Sequence, residues 1–453
     1  MIPMRIAATR CSTPSQVFIQ RYPRWPGLLL AIFASVALAQ PAADITAARQ
    51  AMVAKNYAGA EQIYRKALAQ SPSAADVLTG LGLSLQMQGR SAEAIHYYAL
   101  ALKQRYVPET YALLAEEKCR MGELDSAKPM LARLYREERK NLRVDSAVAS
   151  CYLDADEPIE AAEIYEELLS TDGYPADLAL VQSAKSYLRS GQFFAAKLSK
   201  TPGSEPYMNA LRQAPTSGAE GARSAFDVAA KASPNFRASL TWSDALRLWR
   251  QHPQDAALLY LLSVLSAEHG IKQIERCSDR FPASPYLRQF QADVLADQGH
   301  EGEAVAAYEQ LIHDHPDLSD LHYSLGLLRE KREEWELAAQ AFRDQLAVDP
   351  ADERATAHLS KCLLQLEQYP AVRALLESKM KAQHPPQWAS LNLAEADQKL
   401  GESMAAIRVL LAAEREPSPD KLVHYRLMHL YTITGRPDDA KREYALFQAA
   451  SSK

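Results

Sequence analysis

The side chains that could do chemistry in this 453-residue chain are scattered rather than gathered. His313, His315 and His322, together with Asp314, form the densest group of possible metal ligands. A metal site needs three or four ligands that converge in space. Here His313 to Pro316 closes one sequence unit and His322 opens the next, which reads as solvent-facing turn residues. The acid pairs Glu116-Glu117, Glu166-Glu167 and Glu333-Glu334 are adjacent in sequence. Neighbouring side chains diverge on a helix, so these pairs are expected on a solvated face rather than as a shared acid/base site. The sequence holds no G-x-x-x-x-G-K phosphate loop, no G-x-S-x-G elbow, no H-E-x-x-H and no paired C-x-x-C. No catalytic residue, metal or cofactor is therefore expected, and the chain does not read as an enzyme. Cys119, Cys151, Cys277 and Cys362 lie beyond residue 39. Cys119, Cys151 and Cys362 fall inside helical stretches, where a free thiol behaves as a small buried hydrophobe, and Cys119 with Cys151 is the only pair on neighbouring helices.

The elements around these residues repeat. Ala60, Tyr64 and Ala67 recur 34 residues later as Ala94, Tyr98 and Ala101. With slight drift the set returns as Ala127, Leu131 and Leu134, then as Ala161, Tyr165 and Leu168. In the last third it reappears as Ala304, Tyr308 and Leu311, as Ala338 and Phe342, as Ala406 and Leu410, and as Ala440, Tyr444 and Phe447. Upstream of each alanine lies a second amphipathic stretch, such as Leu78, Leu81, Gly82 and Leu85, or Leu321, Leu325 and Gly326, spaced three and four apart. Each unit is thus two helices. Gly89, Gly122, Gly191, Gly299, Gly401 and Gly435 sit between the two stretches, where a helix ends in a left-handed residue. Pro72, Pro316 and Pro350 close units, where the missing N–H is not needed. Antiparallel helices pack tightly only where Gly or Ala on one meets a large side chain on the other, so small and aromatic places must recur in register.

On these residues the chain resembles the tetratricopeptide repeat family, whose units run Leu-Gly, Ala, aromatic, Pro. Leu81-Gly82, Ala94, Tyr98 and Ala101 carry the likeness in one unit, and Leu325-Gly326, Ala338, Phe342 and Pro350 in another. Departures are Leu78 and His322 where the family has tryptophan, and Val372 where alanine belongs, a larger side chain expected to loosen its pair. The resemblance implies an all-α solenoid of helix-turn-helix units wound into a right-handed superhelix, with five units in an N-terminal array over residues 40–200 and five in a C-terminal array over 285–453. It also implies that the first helix of each unit lines a concave face that binds extended peptides or partner helices. Mapped onto this sequence, those places are Asp293, Asp297, Tyr323, Glu330, Arg354, Lys361, Trp388, Glu395, Tyr425 and His429. Their N-terminal counterparts include Thr79, Gln86, Glu116, Arg120, Ser150, Lys185 and Arg189. The carboxylate clamp of some family members is not carried over, because Ile45, Arg49, Thr79, Leu83, Ala112 and Glu116 occupy its places.

Residues 201–284 break the period with Pro202, Gly203, Pro206, Pro215, Gly218, Gly221 and Pro234. They read as degenerate helical repeats with a Pro/Gly-rich loop, so the second helix of the fifth unit is expected to end early or be displaced. Thr241 with Asp244 has the spacing of a capping box, followed by Trp242, Leu246 and Trp249 on one face. Ala256 to Ala267 is apolar all round, as a buried helix would be. Residues 1–39 carry Arg5, Arg10, Arg21 and Arg24, an apolar run from Leu28 to Leu38, and Ala37-Leu38-Ala39 before Gln40. This is the pattern of a signal peptide cleaved after Ala39, which implies a periplasmic or secreted protein; an uncleaved anchor is the alternative. Without those four arginines the formal charge of −5 falls to −9, too acidic for nonspecific binding to nucleic acid. The functional expectation is an exported scaffold for proteins or peptides, engaged in assembling a cell-envelope complex. The alternative is an enzymatic or metal-dependent activity housed in 201–284.

Overall fold

The computed structural model describes residues 43–451 apart from 72, 122, 139–140, 214–240, 317, 319, 351, 378, 382–384 and 416–419. The leader, Pro72, Gly122, and the loop residues Pro215, Gly218, Gly221 and Pro234 lie outside the described residues. All regular elements among those described are helical.

The helices come as pairs. Four pairs open the chain: α1 (Ala43–Val53) with α2 (Tyr57–Gln70), α3 (Ala75–Gln86) with α4 (Ser91–Gln104), α5 (Pro108–Arg120) with α6 (Leu124–Glu137), and α7 (Leu142–Asp154) with α8 (Pro158–Leu168). Then come α9 (Ala176–Ser199), α10 (Glu205–Gln213), α11 (Trp242–Gln251) and α12 (Ala256–Arg280). Five further pairs follow: α13 (Pro285–Asp297) with α14 (Glu301–Asp314), α15 (Leu321–Lys331) with α16 (Trp335–Val348), α17 (Glu353–Gln365) with α18 (Tyr369–Leu376), α19 (Gln387–Lys399) with α20 (Ser403–Glu414), and α21 (Lys421–Ile433) with α22 (Pro437–Ser451). The chain divides into two compact units, residues 111–291 and a second formed by the described parts of 22–110 together with 292–453.

The recurring alanines and aromatics are the packing points that the spacing predicts. Ala60, Ala94, Ala127, Ala161, Ala304, Ala338 and Ala406 are fully buried, as are Tyr98, Phe342, Leu311 and Leu410. The reason glycine faces them is contact distance: a Cβ on Gly326 would lie 2.7 Å from the Phe342 ring, and one on Gly82 at 2.7 Å from the Tyr98 ring. Val372 is fully buried with Leu376 in α18, which is only eight residues long. Tyr444, on α22, departs from the others and is 49% exposed.

The turn inside each pair is one device used repeatedly. Wherever it is described, the residue two before the second helix is left-handed: Gly89, Gly299, Gly401 and Gly435 with φ of 71°, 82°, 81° and 75°. Lys55, Asp156, Glu333 and Glu367 hold the same place with φ between 56° and 59°. The next residue donates its N–H five residues back, as in Arg90 N to Leu85 O at 3.0 Å, Glu334 N to Arg329 O at 2.9 Å and Arg436 N to Tyr431 O at 2.8 Å. This is the Schellman closure, which satisfies carbonyls left over at the helix end. Gly191 is a correction to the expected set. It lies inside the 24-residue α9, where the chain runs straight through the place of the fifth turn. A Cβ there would stand 3.0 Å from the Ser263 carbonyl oxygen of α12, so its small size serves helix approach and not helix ending.

In the unit 111–291, α9 and α12 are the long central pair. Gly270 repeats the close approach from the other helix, against Leu188 and the Ala184 carbonyl. Thr241 and Asp244 cap α11 reciprocally, and its Trp242 and Leu246 are buried in the core with Phe194, Leu198, Leu259 and Leu262. Trp242 Nε1 donates to Ser266 Oγ at 2.9 Å, and Tyr187 meets its ring edge-on at 5.1 Å between centroids. The apolar run of α12 is buried as expected, Leu258 to Leu262 being at most 3% exposed. Cys119, Cys151, Cys277 and Cys362 are buried and form no disulfide among the described residues, and Cys277 too lies within a helix, α12. Among the described residues no helix is long and apolar enough to cross a membrane.

Candidate functional site

The ten residues mapped to the binding face sit on the first helices of the last five pairs, α13, α15, α17, α19 and α21. The structure ties several of their polar groups into contacts that link successive repeats.

Arg354 is the centre of the tightest group. Its Nη2 donates to Asp320 at 2.6 Å and to Asp352 at 2.8 Å, and its guanidinium carbon lies 4.3 Å from the centroid of the Tyr323 ring. Asp352 also caps α17, accepting from the backbone N–H of Arg354 and Ala355, and receives Gln345 Nε2 at 3.2 Å. Burial opposes the charge on Arg354, but the two aspartates more than offset it and hold the guanidinium above its ordinary range. Burial pushes the Tyr323 phenol up to about 12. Both carboxylates are nearly excluded from solvent, so this is a strut inside the array.

Glu330 is the second centre. It accepts from His358 Nδ1 at 2.7 Å and from Lys361 Nζ at 2.6 Å. Burial alone would raise its carboxyl, yet the hydrogen bonds from His358 and Lys361 win and hold it below the ordinary glutamate value. Further along, Glu395 accepts from Arg426 Nη2 at 2.6 Å and Asn392 Nδ2 donates to Ser360 Oγ at 2.7 Å. Asp293 accepts from Tyr308 within its own pair, and Asp297 is exposed. Trp388 is half-buried against the core of α15 to α19, whereas Tyr425 and His429 are exposed. The mapped places therefore divide. Asp293, Tyr323, Glu330 and Arg354 hold the helices together; Lys361, Trp388, Glu395, Tyr425 and His429 present surface.

Sequence spacing missed the rule that makes these pairs. Glu330 to Lys361, Glu395 to Arg426 and Thr79 to Thr110 are each 31 residues apart, which joins equivalent faces of consecutive first helices. Arg426 was readable as the opposite charge 31 residues after Glu395. The N-terminal counterparts follow suit: Thr79 Oγ1 lies 3.1 Å from Thr110 Oγ1, Gln86 accepts from Tyr98 at 2.5 Å, and Arg189 donates to the Leu153 carbonyl at 3.3 Å. Glu117 corrects the reading of the acid pairs as solvated. It is fully buried and paired with Arg120 at 3.1 Å. His313 is exposed, as the sequence implied, while His322 is half-buried, and burial lowers its pKa.

A tetratricopeptide repeat model matches residues 45–106 and 291–353. No curated protein is found to match the chain. Similar solved structures include MamA from Desulfovibrio magneticus RS-1, from its residue 41 onward, with 16% identity, 37% of this chain and 95% of that one covered, and a TM-score of 0.34. A tetratricopeptide repeat protein from Parabacteroides merdae shares 10% identity over 68% of this chain and 93% of its own, with a TM-score of 0.34. The Cut9–Hcn1 hetero-tetramer of the APC/C gives 16%, 94%, 96% and 0.32 for the same quantities. The family pattern matches two separate stretches, and the same helix pair, closed by the same left-handed turn, recurs through and beyond them among the described residues: the chain carries tetratricopeptide repeats within an all-helical array of such pairs.

Proposed function

We propose that this protein is an exported, non-catalytic scaffold that holds an extended peptide or a partner helix along the concave face formed by the first helices of its C-terminal array. The observation that carries this reading is the row Lys361, Trp388, Glu395, Tyr425 and His429 on α17, α19 and α21, which pairs surface charge with accessible aromatic area. Exposed aromatics among polar neighbours are the usual anchors of protein interfaces. Lys361 and Glu395 are already oriented by Glu330 and Arg426, so less side-chain entropy is lost when a partner docks. The leader 1–39 supports export, and the acidic chain beyond it supports a protein partner over nucleic acid. A role in assembling a cell-envelope complex fits a scaffold in that compartment, with arrays 40–200 and 285–453 flanking the divergent segment 201–284.

Crosslinked recovery from the envelope fraction tests the face. Wild type should return a reproducible set of proteins, and Lys361→Glu with Trp388→Ala should lose them while keeping full helicity. Equal recovery by the double variant, or none by wild type, refutes the reading. Export is checked separately: the mature N-terminus should be Gln40, and an intact leader on cytoplasmic protein would remove that part.

A further inference from the structure

The last two pairs contain a group that neither the scaffold reading nor the repeat pattern requires. Glu414 ends α20, His424 lies in the first turns of α21, and Glu443 is in the middle of α22. One ligand atom from each comes within 4.8 Å of the others. His424 Nδ1 is 2.9 Å from Glu443 Oε2 and 4.0 Å from Glu414 Oε1.

Both glutamates break the register of their helices. Counted from the repeat alanine, Glu443 (three after Ala440) stands where Ile63, Met130, Ile164, Ala341 and Val409 stand in other repeats. Glu414 (eight after Ala406) stands where Leu68, Leu102, Leu169, Ile312 and Leu346 stand. Glu443 is fully buried, and a buried carboxylate in an apolar place is costly unless it is paired. Arg442 supplies part of that pairing, donating from Nε at 3.1 Å and Nη2 at 2.9 Å to Oε1. The other oxygen, Oε2, is thereby turned toward His424 and Glu414.

We propose that Glu414, His424 and Glu443 form a binding site for a first-row divalent cation, with zinc the best fit. Imidazole with carboxylate is the donor set for such ions, and three protein ligands leave a fourth position for water. Bonds of about 2.0–2.2 Å in a tetrahedron place ligand atoms roughly 3.3–3.5 Å apart, between the 2.9 and 4.0 Å separations found here. Glu414, 24% exposed, has room for the sub-ångström shift that closes the set and marks the side from which an ion enters. Arg442 orients Glu443 as outer partners of metal ligands commonly do.

The test uses the full mature chain without a histidine tag, stripped by chelator and titrated with Zn²⁺ against a chromophoric competitor, with thermal unfolding in parallel. The expected result is one zinc per chain with submicromolar affinity and a higher melting temperature. Glu414→Gln, at a partly buried place, should weaken binding at least about tenfold without loss of helicity, and His424→Ala should abolish it. His313→Ala, at an exposed histidine elsewhere, should change nothing. Substoichiometric binding by wild type, affinity unchanged in Glu414→Gln and His424→Ala, or loss of binding in His313→Ala overturns the assignment.

Discussion

Replacing Arg354 by methionine separates a residue that builds the array from one that reads a partner. The side chain is 18% exposed and the carboxylates it joins, Asp320 and Asp352, are 9% and 3% exposed. Methionine keeps the aliphatic bulk against Tyr323 and removes the cation, so two buried carboxylates lose their shared counter-charge. Removing one partner of a buried ion pair costs about 3–5 kcal/mol. Asp352 retains the backbone N–H of Ala355 and the Gln345 amide, which places the expected loss near the lower end, about 3 kcal/mol. At about 2–4 °C per kcal/mol for a domain of 150–250 residues, the melting temperature should fall by roughly 6–12 °C. Urea unfolding followed by far-ultraviolet circular dichroism gives the free energy, with Arg354→Met, Asp320→Asn and the double variant forming a cycle. Asp320→Asn should recover part of the loss, since it removes one of the two charges that Arg354 balances. A loss below about 1 kcal/mol, or an additive cycle, would refute the strut. Normal stability with lost partner recovery would return Arg354 to the binding face.

Other consequences are equally direct. Glu330 has a lowered folded pKa, so its contribution is complete above the unfolded value of 4.5 and disappears as pH falls through the folded value; Glu330→Gln should flatten the acid limb of the stability curve below pH 4.5. Unchanged acid sensitivity in that variant would show that other carboxylates dominate. Gly326→Ala drives a methyl to 2.7 Å from the buried Phe342 ring and should cost about 1–3 kcal/mol, with Phe342→Leu relieving part of it in the double variant. Glu333→Gly should stabilise by about 0.5–1 kcal/mol, because glycine adopts the left-handed conformation without the strain a side chain meets at φ 59°. A destabilised Glu333→Gly, read by the same urea titration, would mean that the side chain itself contributes to the turn.

Much of the fold could be read from the chain because its constraints are local and periodic. Ala338 and Phe342 recur at the repeat spacing since a small residue must face a ring, and that need shows in one letter per turn of helix. What escaped notice depended on surroundings that the residue type alone does not disclose. Gly191 looked like a helix ending because glycine serves two purposes, and only the neighbouring Ser263 carbonyl distinguishes them. Glu117 looked solvated because its partner, Arg120, sits three residues on and inside the fold. Lys55, Asp156, Glu333 and Glu367 showed no turn signal, since the closure is imposed by the backbone and not by residue type. On the proposed binding face the first helices were legible, but not which side chains were already engaged. Arg354 and Lys361 look alike in sequence; one is sealed between aspartates and the other is 53% exposed.

The uniform turn also bears on how such a chain can change over evolutionary time. Apart from the four residues between Gln86 and Ser91, each connection within a pair is a three-residue link, and its last N–H reaches back five positions, from Asn56 to Ala51 as from Arg436 to Tyr431. Adding or deleting one residue there would break that bond and swing the second helix about 100° around its axis relative to its buried stripe. Gaining or losing a complete helix pair leaves every remaining link intact. Lengthening or shortening by whole cassettes is thus tolerated where single-residue indels are not, and the interval between Gly401 and Gly435, 34 residues, is the increment in which this molecule can be edited.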